Sequence, residues 1–290
     1  MSDRADVTVE TLRAWPLPEP DESKYGRGQV VVVGGALRSP GAAMLAGVAA
    51  LRVGAGRLTL AVGESVAAHV AVAVPESGVA PLDETPGHSV SGFSLPAASD
   101  DLRRADTVLV GPGLDDAGEA EVMVRELARH IDDDTVVVLD AFGLGVLPKV
   151  PGAEAALGGR LVLTPNKVEA ALLLERELDD DDLAADLVEI AQRYRAVVSC
   201  FGIVTAPGGD IWTVGTGGPG LGTSGSGDVL AGAIAGLCAR GATPEQGAVW
   251  ATFAHARVGE LLEQRVAPLG FLATEMTAEL PAVIESIAAP

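Results

Sequence analysis

The chain has 290 residues, 48% hydrophobic and only 3% aromatic, so it is long enough to bury a sizeable core made mainly of Ala, Val and Leu. A formal net charge of -20 excludes nucleic acid as a partner, because a phosphate backbone needs a basic face; small phosphorylated ligands stay open, since backbone amides and a bound metal can hold them. Two cysteines are too few for a disulfide framework, no run approaches the roughly 18 apolar residues of a membrane helix, and MSDRADVTVETLRAW lacks the apolar segment of a secretory signal, so a soluble cytoplasmic protein with no membrane partner is expected.

Residues 1–24 are polar, acidic and carry Pro16, Pro18 and Pro20, which predicts a surface lead-in with little core of its own; residues 25–290 have no linker or repeat and are read as one domain. Val30 to Val33 is an all-β-branched run, typical of a strand buried on both faces, ended by Gly34-Gly35. Ser39-Pro40 supplies a capping hydroxyl and an N1 proline for a helix from Gly41 to Val53, and Arg57 to Val62 is the next strand. The pattern repeats with a strand at Thr107 to Val110 stopped by Gly111-Pro112-Gly113, an amphipathic helix at Glu119 to His130, a strand at Val136 to Leu139 ending in Asp140, and a strand at Leu161 to Leu163 ending in Thr164-Pro165-Asn166. Such alternation implies right-handed crossovers and a mostly parallel sheet, with the ligand beyond the carboxyl ends of the strands. Gly34-Gly35, Gly111 to Gly113, Asp140 and Asn166 all fall at such ends. Further on, Ala196 to Ser199, Ile203 to Ala206 and Ile211 to Val214 are short strands, the last two joined by the hairpin turn Pro207-Gly208-Gly209-Asp210. Thr243-Pro244-Glu245-Gln246 reads as a capping box opening a helix that runs to about Glu263.

Between these last elements lies GTGGPGLGTSGSGDVLAGAIAGLCARG, residues 215–241. Gly225-Ser226-Gly227-Asp228 puts a glycine turn and a lone carboxylate before a run with helical spacing, at Val229, Leu230, Ala233, Ile234 and Leu237. A helix start offers unpaired N–H groups and partial positive charge, so this turn can receive phosphate oxygens while Asp228 takes a proton from an attacking hydroxyl. The alternative is that Asp228 only caps a buried helix. No lysine completes a Walker loop here. Acidic runs at Asp132 to Asp134 and Asp179 to Asp182 read as solvated loops or helix starts rather than metal sites. Cys200 and Cys238 read as inert buried thiols, and His69, His88, His130 and His255 as scattered surface or helix-face residues without partners.

Taken in order, these segments resemble the NAD(P)H-hydrate dehydratase family, the repair enzymes of the ribokinase-like superfamily, from about Lys24 to Leu262. The resemblance rests on Gly26-Arg27, Gly34-Gly35, Pro40-Gly41-Ala42-Ala43 with Leu51-Arg52-Val53-Gly54-Ala55-Gly56, Gly111-Pro112-Gly113-Leu114, Leu139-Asp140-Ala141, Thr164-Pro165 with Glu169, and Gly225-Ser226-Gly227-Asp228-Val229-Leu230-Ala231-Gly232. It implies a ribokinase-like three-layer α/β/α sandwich with a mostly parallel central sheet, and a lyase that dehydrates hydrated NADH or NADPH after the terminal phosphate of ADP or ATP activates the ring hydroxyl. By the same resemblance Asp228 is the catalytic base, and Gly225, Ser226 and Gly227 form the anion hole. Ala42, Gly113, Asn166 and Asp228 face the hydrated cofactor, Gly227 touches the nucleotide, Asn166 and Glu169 act on Mg2+ indirectly, and homo-oligomers are common.

Two stretches depart from the family pattern. The family has His-Pro-Gly-Glu after Thr-Pro, with the histidine at the hydrated cofactor, whereas this chain has Asn166-Lys167-Val168-Glu169, the Asn-x-x-Glu pattern of the superfamily's small-molecule kinases. The family's Lys-Gly segment at the nucleotide is matched by Ala196 to Ala206, which holds no lysine. An ATP-dependent kinase and a nucleotide-binding paralogue without turnover are therefore the alternatives. Asn166 and Glu169 could also be a turn residue and a first-turn acid only, Lys167 a lysine compensating for the missing one or an exposed helix-start residue, and Asp140 a residue that bonds a neighbouring loop.

Overall fold

The computed structural model describes residues 4–179 and 181–288; the first three residues of the lead-in, Asp180 of the second acidic run and the last two residues lie outside the described residues. Ten strands form the sheet: β1 (Arg4–Asp6), β2 (Gln29–Gly34), β3 (Arg57–Gly63), β4 (Gly78–Leu82), β5 (Thr107–Val110), β6 (Val136–Leu139), β7 (Leu161–Leu163), β8 (Ala196–Cys200), β9 (Ile203–Thr205) and β10 (Ile211–Thr213). Their helices are α1 (Val9–Ala14), α2 (Pro40–Arg52), α3 (Glu64–Ala73), α4 (Ser99–Leu102), α5 (Ala117–Leu127), α6 (Ala141–Gly145), α7 (Ala153–Ala156), α8 (Lys167–Leu174), α9 (Leu183–Tyr194), α10 (Ser226–Ala239), α11 (Pro244–Arg265) and α12 (Ala273–Ala288).

Strand order is β1-β10-β9-β8-β7-β6-β5-β2-β3-β4, and among these only β9 runs against the rest. The chain leaves β2 for β3 and β4, then returns to pair β5 on the other side of β2. That reversal opens a crevice above the carboxyl ends of β2 and β5, the place where such sheets hold ligands.

Successive residues of a strand point to opposite faces, and β2 divides its valines accordingly. Val30 and Val32 join one core with α2, α10, α11 and α12, while Val31 and Val33 join a second with α5, α6, α8 and α9. The result is the expected layered α/β arrangement with helices on both faces of a mostly parallel sheet.

Among the described residues of the lead-in only Val7 and Leu12 are buried, yet it carries two elements that the sequence reading does not place. β1 extends the sheet by pairing with β10, and Leu12 of α1 is fully buried. Trp15 stacks on Trp212 at 6.0 Å, and its carbonyl accepts from Trp250 Nε1 at 2.9 Å. Gln246 donates to Trp15 and Pro16 carbonyls at 3.3 and 2.8 Å instead of closing a reciprocal box, so Thr243 alone caps α11. The carbonyls of Trp15 and Pro16 thus tie the lead-in to α11. Asp182 caps α9 by accepting from Ala185 N–H at 3.1 Å, as a helix-start reading of the second acidic run expects.

Half of helix α10 is Ala or Gly, and its glycines let it lie against α2 backbone to backbone. A Cβ at Gly232 would sit 2.0 Å from the Ala46 carbonyl oxygen. Replacing a helix glycine by alanine ordinarily stabilises by about 1 kcal/mol. Here overlap with fixed backbone outweighs that gain, and Gly232→Ala is expected to lower unfolding free energy by about 2 kcal/mol, measured by chemical denaturation.

Candidate active site

Loops at the carboxyl ends of β2 and β5 bond to each other: Gly35 N–H donates to Pro112 O and Ala36 N–H to Gly113 O, both at 2.9 Å. Gly113 takes φ of +76°, and a side chain there would strike the Ser39 carbonyl oxygen 2.2 Å away. This brings Gly113 against the start of α2, where Ala42 is half-buried and Gly41 borders open space. Leu45, one turn on, packs beneath Gly225. Ala42, Gly113 and the Gly225 turn therefore lie around one crevice.

Gly225, at φ of +88°, is the N-cap of α10 and provides no side-chain cap. Ser226 N–H donates to Thr223 O at 3.2 Å, whereas the amides of Gly225, Gly227 and Asp228 have no acceptor among the described residues. Gly227 also has open space beside it. The Asp228 carboxylate makes no hydrogen bond among the described residues, so it is not the helix cap. Burial pushes it up to about 6.

Asp140 follows β6 and is more deeply buried. Its Oδ1 accepts from Thr164 Oγ1 at 2.8 Å. Burial raises its carboxyl to about 7 against the lowering effect of that hydrogen bond, and repulsion from Asp228 and Glu169 adds to the rise. Repulsion acts on both members of such a pair, so the more exposed Asp228 ionises first and Asp140 holds its proton longer. Glu169 is itself raised by burial, partly offset by the Asn166 N–H. Asp140, Glu169 and Asp228 thus form a carboxylate group at the strand ends that the fold makes reluctant to ionise.

Asn166 and Glu169 close a reciprocal capping box on α8: Glu169 N–H donates to Asn166 Oδ1 at 3.0 Å, and Asn166 N–H to Glu169 Oε2 at 2.9 Å. Lys167 extends its ammonium over the exposed ring of Phe201, 4.9 Å from the centroid, beside the lysine-free strand β8. Both thiols are buried and pushed up to about 12, so neither is a nucleophile.

The histidine reading needs correcting at two positions. His88 Nδ1 lies 3.1 Å from Glu84, and His255 is buried with Nε2 3.0 Å from both the hydroxyl and the carbonyl oxygen of Ser226. His255 shares a helical stripe with Ala251, Val258 and Leu262, a spacing that marks it as buried in the sequence alone.

The NAD(P)H-hydrate dehydratase profile matches residues 30–282. The chain is 41% identical to the ADP-dependent (S)-NAD(P)H-hydrate dehydratase of Xanthomonas campestris over 97% of its own length and 96% of the relative's. It belongs to the NAD(P)H-hydrate dehydratase family. Among solved structures, the ADP/ATP-dependent NAD(P)H-hydrate dehydratase of Bacillus subtilis, co-crystallised with ATP and Mg2+, superposes with a TM-score of 0.79 at 26% identity, covering 98% of each chain. The bifunctional NAD(P)H-hydrate repair enzyme of Moorella thermoacetica is 33% identical, and the chain spans half of that protein's length. The fold is ribokinase-like.

A fold that holds carboxyl groups above their ordinary range carries a stability cost with a defined pH window. Asp140 binds its proton more tightly folded than unfolded, so its contribution is lost as pH rises from about 4 through about 7. Asp140→Asn is expected to melt higher than the parent at mildly alkaline pH and nearly equally below the unfolded value, when melting temperatures are compared across pH.

Proposed function

We propose that the protein dehydrates hydrated NADH and NADPH, using the terminal phosphate of ADP, with ATP as the alternative donor. The observation that carries the reading is the unbonded, burial-raised carboxylate of Asp228 beside the free amides at the start of α10. Asp228 takes the proton of the ring hydroxyl as its oxygen attacks the terminal phosphorus. AMP leaves with the bridging oxygen. The carbon–oxygen bond then breaks, phosphate departs with its electron pair, and loss of the adjacent ring proton restores the double bond. The amides of Gly225, Gly227 and Asp228 receive the charge that develops on the phosphate, and need no reorganisation to do so. Among the anion-hole residues, Ser226 contributes position rather than its amide, which is already engaged.

Ala42 and Gly113 border the crevice in which the hydrated ring would lie, with Gly227 toward the nucleotide. No group of three His, Cys, Asp or Glu residues among the described residues makes a metal cage. The all-oxygen set of Asp140 and Glu169, held above its ordinary range, fits a hard cation that keeps most of its water and phosphate ligands. Those two carboxylates would hold Mg2+, which supplies charge neutralisation for the phosphates when bound. In the capping box the Asn166 side-chain oxygen and Glu169 Oε2 are both engaged, whereas Glu169 Oε1 has no hydrogen bond among the described residues, so this reading gives the cation contact to Glu169 and none to Asn166. The kinase alternative drew on Asn166 and Glu169, whose mutual capping box accounts for their spacing without a ligand. A small-molecule partner, a cytoplasmic setting and self-association of copies belong to the same proposal; no helix among the described residues is long and apolar enough to cross a membrane.

Purified protein given hydrated NADH, Mg2+ and ADP is expected to regenerate the absorbance of the reduced nicotinamide, with AMP and phosphate formed in equal amounts. Asp228→Asn is expected to lower kcat by about a thousandfold while ADP still binds, the loss typical of removing a positioned base. Absence of turnover with either nucleotide, or a phosphorylated sugar, pyrimidine or thiazole from a substrate screen, would remove the dehydratase reading. Because the base must be ionised, kcat/KM is expected to fall as pH drops through about 6.

A further inference from the structure

His255 is the buried titratable group that the proposed reaction leaves without a task. It sits on α11, whose position is fixed one turn earlier by the 2.8 Å bond between Thr252 Oγ1 and Ser199 Oγ of β8. Nearer the start of the same helix, Gln246 and Trp250 hold the carbonyls of Trp15 and Pro16. From this anchored helix Nε2 reaches two atoms of Ser226, the first residue of α10. A carbonyl oxygen only accepts, so Nε2 carries the proton and donates, with the hydroxyl oxygen sharing it. Burial lowers His255 to about 4, which keeps the ring neutral and adds no charge to the site.

The consequence lies on the other side of Ser226. A serine hydroxyl in the first turn of a helix can turn onto nearby backbone N–H groups, and one free to do so would compete with an anion for them. Ser226 is itself buried, and its hydroxyl is drawn to the histidine. We propose that His255 is a positioning residue: by holding both the hydroxyl and the carbonyl of Ser226 on the buried side of α10, it leaves the amides of Gly227 and Asp228 open to a phosphate group in the crevice. The inference rests on reading the start of α10 as the anion site.

The test follows the Gly227 and Asp228 amide signals of the 15N-labelled full-length protein during titration with inorganic phosphate, with dehydratase turnover measured in parallel. His255→Ala is expected to weaken phosphate binding at these amides about tenfold, comparable to losing one hydrogen bond to a charged group. Turnover falls by a similar factor while KM for the hydrated cofactor stays unchanged. His255→Leu replaces it if the cavity left by alanine prevents folding. His255→Gln, which carries a donor at comparable reach, is expected to stay within about threefold of the parent, since the bond rather than the ring is what matters. Adding Ser226→Ala to His255→Ala is expected to recover phosphate binding relative to His255→Ala, because the competing hydroxyl is gone. A histidine that only fills space predicts no such recovery. The proposal is overturned if phosphate leaves both amide signals of the parent unmoved, if glutamine behaves as alanine does, or if the double variant binds no better than His255→Ala. Phosphate binding with this pattern but no dehydratase turnover would remove the dehydratase reading and keep the positioning role.

Discussion

The backbone contact between α10 and α2 is the constraint on which the rest of the site depends. With the Ala46 carbonyl oxygen where a Gly232 side chain would begin, and the Ala50 carbonyl oxygen 2.5 Å from a Cβ at Gly236, the two helices have no slack between them. Close-packed interiors transmit position rather than absorb it. The start of α10 is therefore set by α2, and the start of α2 by the loops that end β2 and β5. One chain of contacts fixes the open amides, Asp228 and the crevice beside Gly113.

Into that rigid frame the fold places carboxyl groups where ionisation is unfavourable. Asp140 and Asp228 are both raised chiefly by burial, and Asp140 further by its acidic neighbours. A fold selected for stability alone would have amides or apolar residues there, since an uncompensated buried charge costs several kcal/mol. In the proposed reaction these groups would supply a base near neutrality and ligands for a cation arriving with the nucleotide. The same electrostatics explains the value of a neutral histidine at Ser226: it orders the helix start without supplying a charge that would pull Asp228 back to its ordinary range.

How much of this was legible in the sequence follows from the range of each interaction. β5, β6 and β7 were bounded residue for residue because their valines and leucines stop at local signals, Gly111-Pro112, Asp140 and Thr164-Pro165 respectively. β4 was not read, since Gly78 and Pro81 look like loop until an edge position tolerates them, and α12 was hidden by Pro281 within it. The strand and helix of the lead-in were hidden for a different reason. Their structure comes from β10 and α11, some 200 residues away in the chain, and no local pattern reports a partner at that separation. His255 falls between these cases: its burial was in the helical stripe, but its task depends on Ser226, 29 residues back.

The two departures from the family pattern acquire a common electrostatic sense. A chain with 40 acidic residues and a group of reluctant carboxylates must still admit a nucleotide whose phosphates are anionic. Lysine is absent from residues 196–206, and Lys167, on the neighbouring helix start, rests its ammonium on Phe201 at the end of β8. What remains to receive phosphate charge is the set of backbone amides and whatever cation the nucleotide carries. Amides offer fixed dipoles whose strength does not change with pH and which cost no ionisable side chain. In the proposed reaction that division of labour leaves Asp228 coupled to its acidic neighbour Asp140 but not to the amides that hold the phosphate, which never take up or release a proton.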